Sequence, residues 1–206
     1  MVEISASMVM KLRKTSGQGM MDCKNALTDA DGNFERALEI IREKGKLVAS
    51  KRADREAGEG VVLAKSTADE KRGAIIVLNC ETDFVAKNDD FVKFAKNILN
   101  IAIEKKPASL DELRNLELNG IKIADEITNQ IGVIGEKIDL SYFDSVSSDY
   151  TISYIHPGNK LATIAGFNMA DVDLQVAKDV AMQIAAMNPI AVDQDGVDQS
   201  IIEKEI

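Results

Sequence analysis

The sequence predicts an α+β protein, with a small N-terminal three-helix module followed by an α+β core of antiparallel sheet and packed helices. Three observations carry that expectation. Apolar residues recur at helical spacing over the first 45 positions, short β-branched apolar runs in hairpin groups begin after Gly60, and amphipathic helical segments separate those groups. A length of 206 residues suits one ordinary domain plus a small module.

Ile4, Met8, Val9 and Leu12 share a helical face, Ser5 is placed as its cap, and Gly17 ends the segment. After Ser16-Gly17-Gln18-Gly19, a second helix presents Met20, Cys23, Ala26 and Leu27. Asn33 caps a third with Phe34, Ala37, Leu38 and Ile41, and Gly45 is expected to end it. This delimits a partner-binding module at 1–45, too small to be stable on a large core of its own. Residues 46–57, with Lys46, Lys51, Arg52 and Arg55 among alanines, read as a solvated basic helical linker, and 58–206 as the core.

Val61–Ala64 and Ala74–Leu78 suit an antiparallel hairpin whose second strand is fully buried. Thr82–Asn88 is then a strand-to-helix loop. Asn88 caps a helix with Phe91, Phe94, Ala95, Ile98, Leu99 and Ala102 inward, and Ser109-Leu-Asp-Glu112 is a capping box. A further helix carries Ile121, Ala124, Ile127 and Ile131. Ile138, Leu140 and Tyr142, then Ile152 and Tyr154, then Leu161–Phe167 suggest a meander. The last strong element is an Asp-capped helix with Leu174, Ala177, Ala181, Ile184 and Ala185 on one face, stopped at Asn188-Pro189.

Charge and composition exclude several functions. A net charge of −9 argues against a general binder of phosphate backbones, so no direct nucleic-acid partner is expected. Residues 1–57 carry 11 basic and 9 acidic groups, net +2, whereas 58–206 carry 14 and 25, net −11, in keeping with two modules. No stretch approaches the roughly 18 apolar residues of a bilayer span, and Met1–Arg13 lacks the pattern of a secretory signal. A cytoplasmic protein without a membrane partner is expected. Cys23 and Cys80 form no metal-binding spacing and read as buried reduced thiols.

Enzyme chemistry finds little support. The single histidine, His156, has no recognisable nucleophile motif, and no Gly-rich loop follows a strand to cradle phosphates. Glu81, Asp83, Asp89 and Asp90 cluster after the buried strand, but Asp89 and Asp90 are accounted for by the helix start. A metal or acid–base site on Glu81 and Asp83 is the weaker alternative, and no metal or cofactor is expected. Phe84 must either tuck inward or stand out of its loop. Taken alone, a large aromatic favours the interior.

Two long motifs alter that balance. Leu12-Arg13-Lys-Thr-Ser-Gly17-Gln-Gly19-Met20-Met21-Asp22-Cys23-Lys24-Asn25-Ala26-Leu27 and Asn79-Cys80-Glu81-Thr82-Asp83-Phe84-Val85-Ala86-Lys87-Asn88 closely resemble the bacterial translation elongation factor Ts family. Tyr154-Ile-His156 and Ile184-Ala185-Ala186-Met187-Asn188-Pro189 extend the resemblance over essentially the whole chain. The resemblance implies a guanine-nucleotide exchange factor for elongation factor Tu, not an enzyme, with an N-terminal module like a ubiquitin-associated domain. It also implies that Thr82, Asp83, Phe84 and Val85 disturb the partner's Mg²⁺ and phosphate site, which turns Phe84 outward. Arg13, Met20 and Met21 are carried to the contact with the partner's nucleotide domain, and His156 to that with its β-barrel domains.

Met20 stands on the same helical face as Cys23 and Leu27, so core and interface remain alternatives for it and, with the interface favoured, for Met21, and His156 beside a turn also suits a local hydrogen bond. Gln18, Asn25 and His156-Pro-Gly-Asn159 depart from the family pattern. The chain ends at Ile201–Ile206, where many members of the family continue into a helical hairpin and a C-terminal module. Either the sequence is a trimmed piece or it is a short form, and a short form, by exposing a sheet edge or apolar face, could self-associate as a homodimer. The competing reading is an interaction protein, with a helical binding module, a dimerising core and no exchange activity.

Overall fold

A computed structural model describes residues 3–205; the outermost positions of the expected units, 1–2 and 206, lie outside the described residues. Three helices come first: α1 (Ala6–Ser16), α2 (Met20–Asp29) and α3 (Phe34–Arg52). Ser5 caps α1 by accepting the Met8 amide, Gly17 closes it in the left-handed conformation, and Asn33 caps α3 by accepting the Arg36 amide. Val9, Leu12, Cys23, Ala26, Leu27, Ala37 and Ile41 form a small core between them.

Helix α3 does not end at Gly45. It runs seven residues further and takes in Lys46–Arg52, the first part of the segment expected as a separate linker. Gly45 is buried where α3 crosses α7 (Ile123–Ile134), and a Cβ at Gly132 of α7 would lie only 2.7 Å from the Gly45 Cα. Glycine serves here as a close-approach residue rather than a stop signal. Helix α3 therefore carries the N-terminal module on the core through a backbone-to-backbone helix crossing.

Strands β1 (Glu59–Ser66) and β2 (Arg72–Cys80) form the expected hairpin, with Glu59 opposite Cys80 and Ser66 opposite Gly73. The sheet order is β1-β2-β5, with β5 (Ile138–Ser147) antiparallel to β2. Strand β2 alternates instead of being buried throughout: Ala74, Ile76 and Leu78 face the core, while Ile75 and Val77 are half-buried. That alternation suits an antiparallel sheet with one well-covered face. After β2 come α4 (Asp83–Ala86), α5 (Asp89–Lys105) and α6 (Leu110–Asn115). Phe91, Phe94, Ala95, Ile98, Leu99 and Ala102 of α5 are all buried, and each large side chain among them contributes about 1.5–3 kcal/mol of burial. Ser109 caps α6 as expected.

Ile121 lies outside α7, in a two-stranded ladder of β3 (Glu117–Leu118) and β4 (Ile121–Lys122). The inward face of α7 is Ile123, Ile127 and Ile131, and Ala124 is exposed. The expected meander is replaced by two separate sheets. Strand β5 joins the first hairpin, while β6 (Tyr150–Ile155) and β7 (Ala162–Phe167) pair only with each other. A bulge also resets β5: Leu140 opposes Leu78 and Tyr142 opposes Val77, leaving Ser141 extra. Leu140 is consequently buried, Tyr142 exposed, and Phe143 turned toward the core.

The β6–β7 hairpin lies over the outer face of the first sheet. Val62 donates its amide to Asn159 O (2.7 Å) near one end, and Thr151 donates to Glu70 O (2.6 Å) near the other. A Cβ at Gly73 would meet Ile164 Cγ2 at 2.6 Å and Thr151 Cγ2 at 2.9 Å, so glycine is required for that approach. Helix α8 (Leu174–Met187) packs on the hairpin through Ala177 and Ala181, capped by Asp173 and ended at left-handed Asn188. Leu174, expected on this inward face, is exposed, while Ala177, Ala181 and Ile184 make the contact. A 3-10 turn at Gln194–Gly196 and α9 (Gln199–Glu205) complete the described chain. No helix among the described residues is long and apolar enough to cross a membrane.

Candidate functional site

The segment expected as a loop after β2 is a one-turn helix. Thr82 caps α4, its hydroxyl oxygen accepting the Val85 amide at 3.4 Å. A helix of four residues cannot maintain itself, since nucleation costs more than one turn returns. Three sets of neighbours hold it. Thr82 donates its amide to Glu136 Oε2 (3.0 Å) and its hydroxyl to Glu136 Oε1 (2.7 Å). Ala86 is buried and Val85 is packed against the main core. Lys87 reaches back to Asp83 at 2.7 Å, which holds the Asp83 carboxyl below the usual carboxylate range and raises the Lys87 ammonium.

Phe84 is the one residue of this turn left outside, 83% exposed. Val85 and Ala86, which follow it, occupy the inward positions, so the ring stands on a braced backbone. An aromatic kept that far in water has no stabilising role in the isolated chain. Its exposure leaves the whole ring face available to another surface.

Behind the turn lies a polar bracket. Arg52, at the end of α3, binds Glu81 at 3.0 and 3.3 Å, and Glu81 also accepts the Lys137 amide at 2.6 Å. Lys137 Nζ in turn donates to the carbonyls of Ala53 and Arg55. The basic stretch is therefore not simply solvated, because Arg52 and the backbone after it are fastened to the core. Glu81 and Asp83, weighed as metal or acid–base groups, are each engaged with a cation. Glu81→Ala leaves Arg52 and the Lys137 amide without their carboxylate, and urea unfolding is expected to register a loss of about 2 kcal/mol.

The N-terminal residues form a second exposed group. Met20 and Met21, in the first turn of α2, are 52% and 65% exposed. The core of α2 is left to Cys23, Ala26 and Leu27. Helical periodicity alone could not separate Met20 from that face, because it stands in the first turn, beyond the reach of α1 and α3. Arg13 is exposed and has no ion-pair partner among the described residues. It lines a shallow apolar groove with Met10, Lys11, Lys14 and Gly17. Met10, half-exposed beside Arg13, joins this group, and its offset from the buried Val9 and Leu12 is the sequence signal for it.

Helix α7 brings the two groups into register. A Cβ at Gly17 would lie 3.7 Å from Val133 Cγ2, and one at Gly132 would lie 3.4 Å from Gln18 Nε2. The 17–19 connection leading to Met20 thus rests on the last turn of α7. Gly135 closes that helix in the left-handed conformation, and the next residue, Glu136, grips Thr82. His156 stands apart, exposed at the β6–β7 turn, sharing a 2.8 Å hydrogen bond with Tyr154 OH through Nδ1. Lys160 in the same turn bonds Glu59, whose strand partner is Cys80. The turn is thereby placed at the end of the sheet from which α4 emerges.

Cys23 and Cys80 are both buried and reduced. Cys80 Sγ donates to Thr82 O at 3.2 Å, and burial pushes its thiol up to about 11. The folded protein is expected to react with a thiol reagent at neutral pH only as fast as it unfolds; prompt labelling of two thiols would contradict this burial.

The sequence family described as Elongation factor TS matches residues 81–206. The chain is 57% identical over 199 residues to the elongation factor Ts of Porphyromonas gingivalis, an alignment covering 96% of this chain and 72% of that protein. It is 50% identical to that of Azobacteroides pseudotrichonymphae (96% and 71% covered) and 49% identical to that of Christiangramia forsetii (100% and 75%). These similarities, with the α+β fold, define a translation elongation factor. The chain belongs to the elongation factor Ts family.

Proposed function

We propose that the protein is a guanine-nucleotide exchange factor that binds elongation factor Tu in the cytoplasm and releases its GDP without covalent chemistry. The observation that carries this reading is Phe84, 83% exposed on a turn that the rest of the fold braces. A Mg²⁺ bridging diphosphate oxygens requires near-ideal octahedral geometry, so a shift of about an ångström in the residues around it loosens both ion and nucleotide. Phe84 supplies that push by filling a pocket available only in the loosened partner. Thr82, Asp83 and Val85 hold the turn that delivers it.

The exchange is a coupling between two ligands of one protein, and the coupling is reciprocal: the factor weakens GDP by the same ratio that GDP weakens the factor. A thousandfold loss of nucleotide affinity corresponds to about 4 kcal/mol, within reach of one well-packed aromatic anchor and its neighbours. Arg13, Met20 and Met21 grip the nucleotide domain, where methionine tolerates a changing apolar surface. His156 contributes at the β-barrel domains.

The direct test is release of a fluorescent GDP from the matching elongation factor Tu in stopped flow, at fixed Mg²⁺. Acceleration by the 206-residue chain is expected, and it should weaken as free Mg²⁺ is raised, because excess ion refills the disturbed site. Binding without acceleration would overturn exchange by this chain, and absence of binding would favour the interaction-protein reading.

A further inference from the structure

We propose that Glu136 is a positioning residue for nucleotide exchange: its carboxylate fixes the one-turn helix that presents Phe84 and ties that helix to the 17–19 connection from which Met20 and Met21 begin α2. The proposal rests on the exchange reading above. Phe84 is too exposed for its own contacts to orient it, so its direction is set by the backbone of Asp83–Ala86. That backbone is held at its start by Thr82. The Thr82 hydroxyl makes only a long 3.4 Å bond to the Val85 amide, whereas Glu136 accepts both Thr82 donors at 2.7 and 3.0 Å.

The chemistry needs a carboxylate. Its two oxygens accept an N–H and an O–H from one residue at once, and charge-assisted hydrogen bonds of this kind are roughly twice as strong as neutral ones. Glutamine offers one acceptor oxygen and turns an NH₂ toward a donor. Glu136 has no ion-pair partner among the described residues, so holding Thr82 is its main engagement there. It follows directly on the cap of α7, whose Val133 supports Gly17. One helix end therefore sets the distance between the exchange turn and the start of α2, which carries Met20 and Met21.

Glu136→Ala and, separately, Thr82→Val are to be compared with wild type in stopped-flow GDP release from elongation factor Tu over a range of factor concentrations. Glu136→Ala is expected to lower the maximal stimulated rate about tenfold, with the half-saturating concentration changed less than about twofold. Thr82→Val should do the same, and Thr82→Ser, which keeps the hydroxyl, should restore the rate. On a Phe84→Ala background Glu136→Ala should cost nothing further, since residues acting as one unit are not additive. Deuterium uptake over residues 82–88 should rise in Glu136→Ala and stay unchanged elsewhere. A wild-type maximal rate in Glu136→Ala, a full additional loss on the Phe84→Ala background, or unchanged deuterium uptake would each overturn the proposal. Wild-type exchange by Phe84→Ala itself would overturn the exchange reading, and deuterium uptake would still decide whether Glu136 holds the turn.

Discussion

On the exchange reading, Phe84→Ala is expected to slow stimulated GDP release from elongation factor Tu by about a hundredfold while leaving the melting temperature of the isolated protein within about a degree of wild type. The rate effect corresponds to about 2.7 kcal/mol, the scale of an interface anchor whose ring is lost from a desolvated pocket. The stability effect is small because the ring is 83% exposed and contributes almost no burial to the free fold. Ala is also a better helix former than Phe, which favours α4 slightly. Stopped-flow release and a thermal melt on the same preparation check both halves. Wild-type exchange in the variant would sink the wedge, and a large drop in melting temperature would show that Phe84 is a core residue after all.

Gly132→Val is expected to be the most damaging single change at the junction of the two helical parts. A Cβ at Gly132 would stand 2.7 Å from the Gly45 Cα, closer than real side chains come, and the obstacle is backbone that cannot rotate away. Overpacking of this kind costs about 3 kcal/mol or more. For a chain of this size that lowers the melting temperature by roughly 6–12 °C. Gly45→Ala should behave oppositely. Its Cβ would meet only ordinary contacts, 3.6 Å to Thr128 O and 3.8 Å to the Gly132 Cα, and replacing glycine inside a helix gains about 0.5–1 kcal/mol. Because α7 also supports the 17–19 connection and leads into Glu136, Gly132→Val should impair exchange beyond its effect on stability. Equal stability for the two variants would refute the crossing geometry.

The acid limb of stability offers a milder expectation. Asp83 has a lowered carboxyl pKa in the folded state because Lys87 donates to it. Its contribution is present above the ordinary carboxylate range and is lost as pH falls through the folded value. Lys87→Met should therefore reduce the difference in deuterium uptake over 82–88 between neutral and acidic solution. The pair is exposed, so the effect on global stability should be small.

Local rules in the sequence were enough for the α+β class, the helix caps at Ser5, Asn33, Asn88, Ser109 and Asp173, the apolar face of α5 and the β1–β2 hairpin. Each depends on neighbours within about four residues or on a period of two or 3.6, which a sequence displays directly. Phe84 was legible only through resemblance to a family. As an isolated aromatic it favoured the interior, and only the motif around it turned it outward. The errors share another cause. Gly45 looked like a helix stop, but it faces Gly132, 87 positions away. Tyr142 continued an alternating pattern, but the extra Ser141 opposite β2 reversed the strand's phase.

The sequence by itself determined the α+β class, the longer helices with their caps, the first hairpin, and which family they compose; the one-turn helix α4, the β3–β4 ladder and the end of α3 were not among them. Tertiary structure alone decided that β5 joins the first hairpin rather than β6, that α3 continues across the core, and that Glu136 holds Thr82. Those outcomes depend on pairings between residues tens of positions apart, where hydrogen bonds and close packing select one partner among many of equal local propensity.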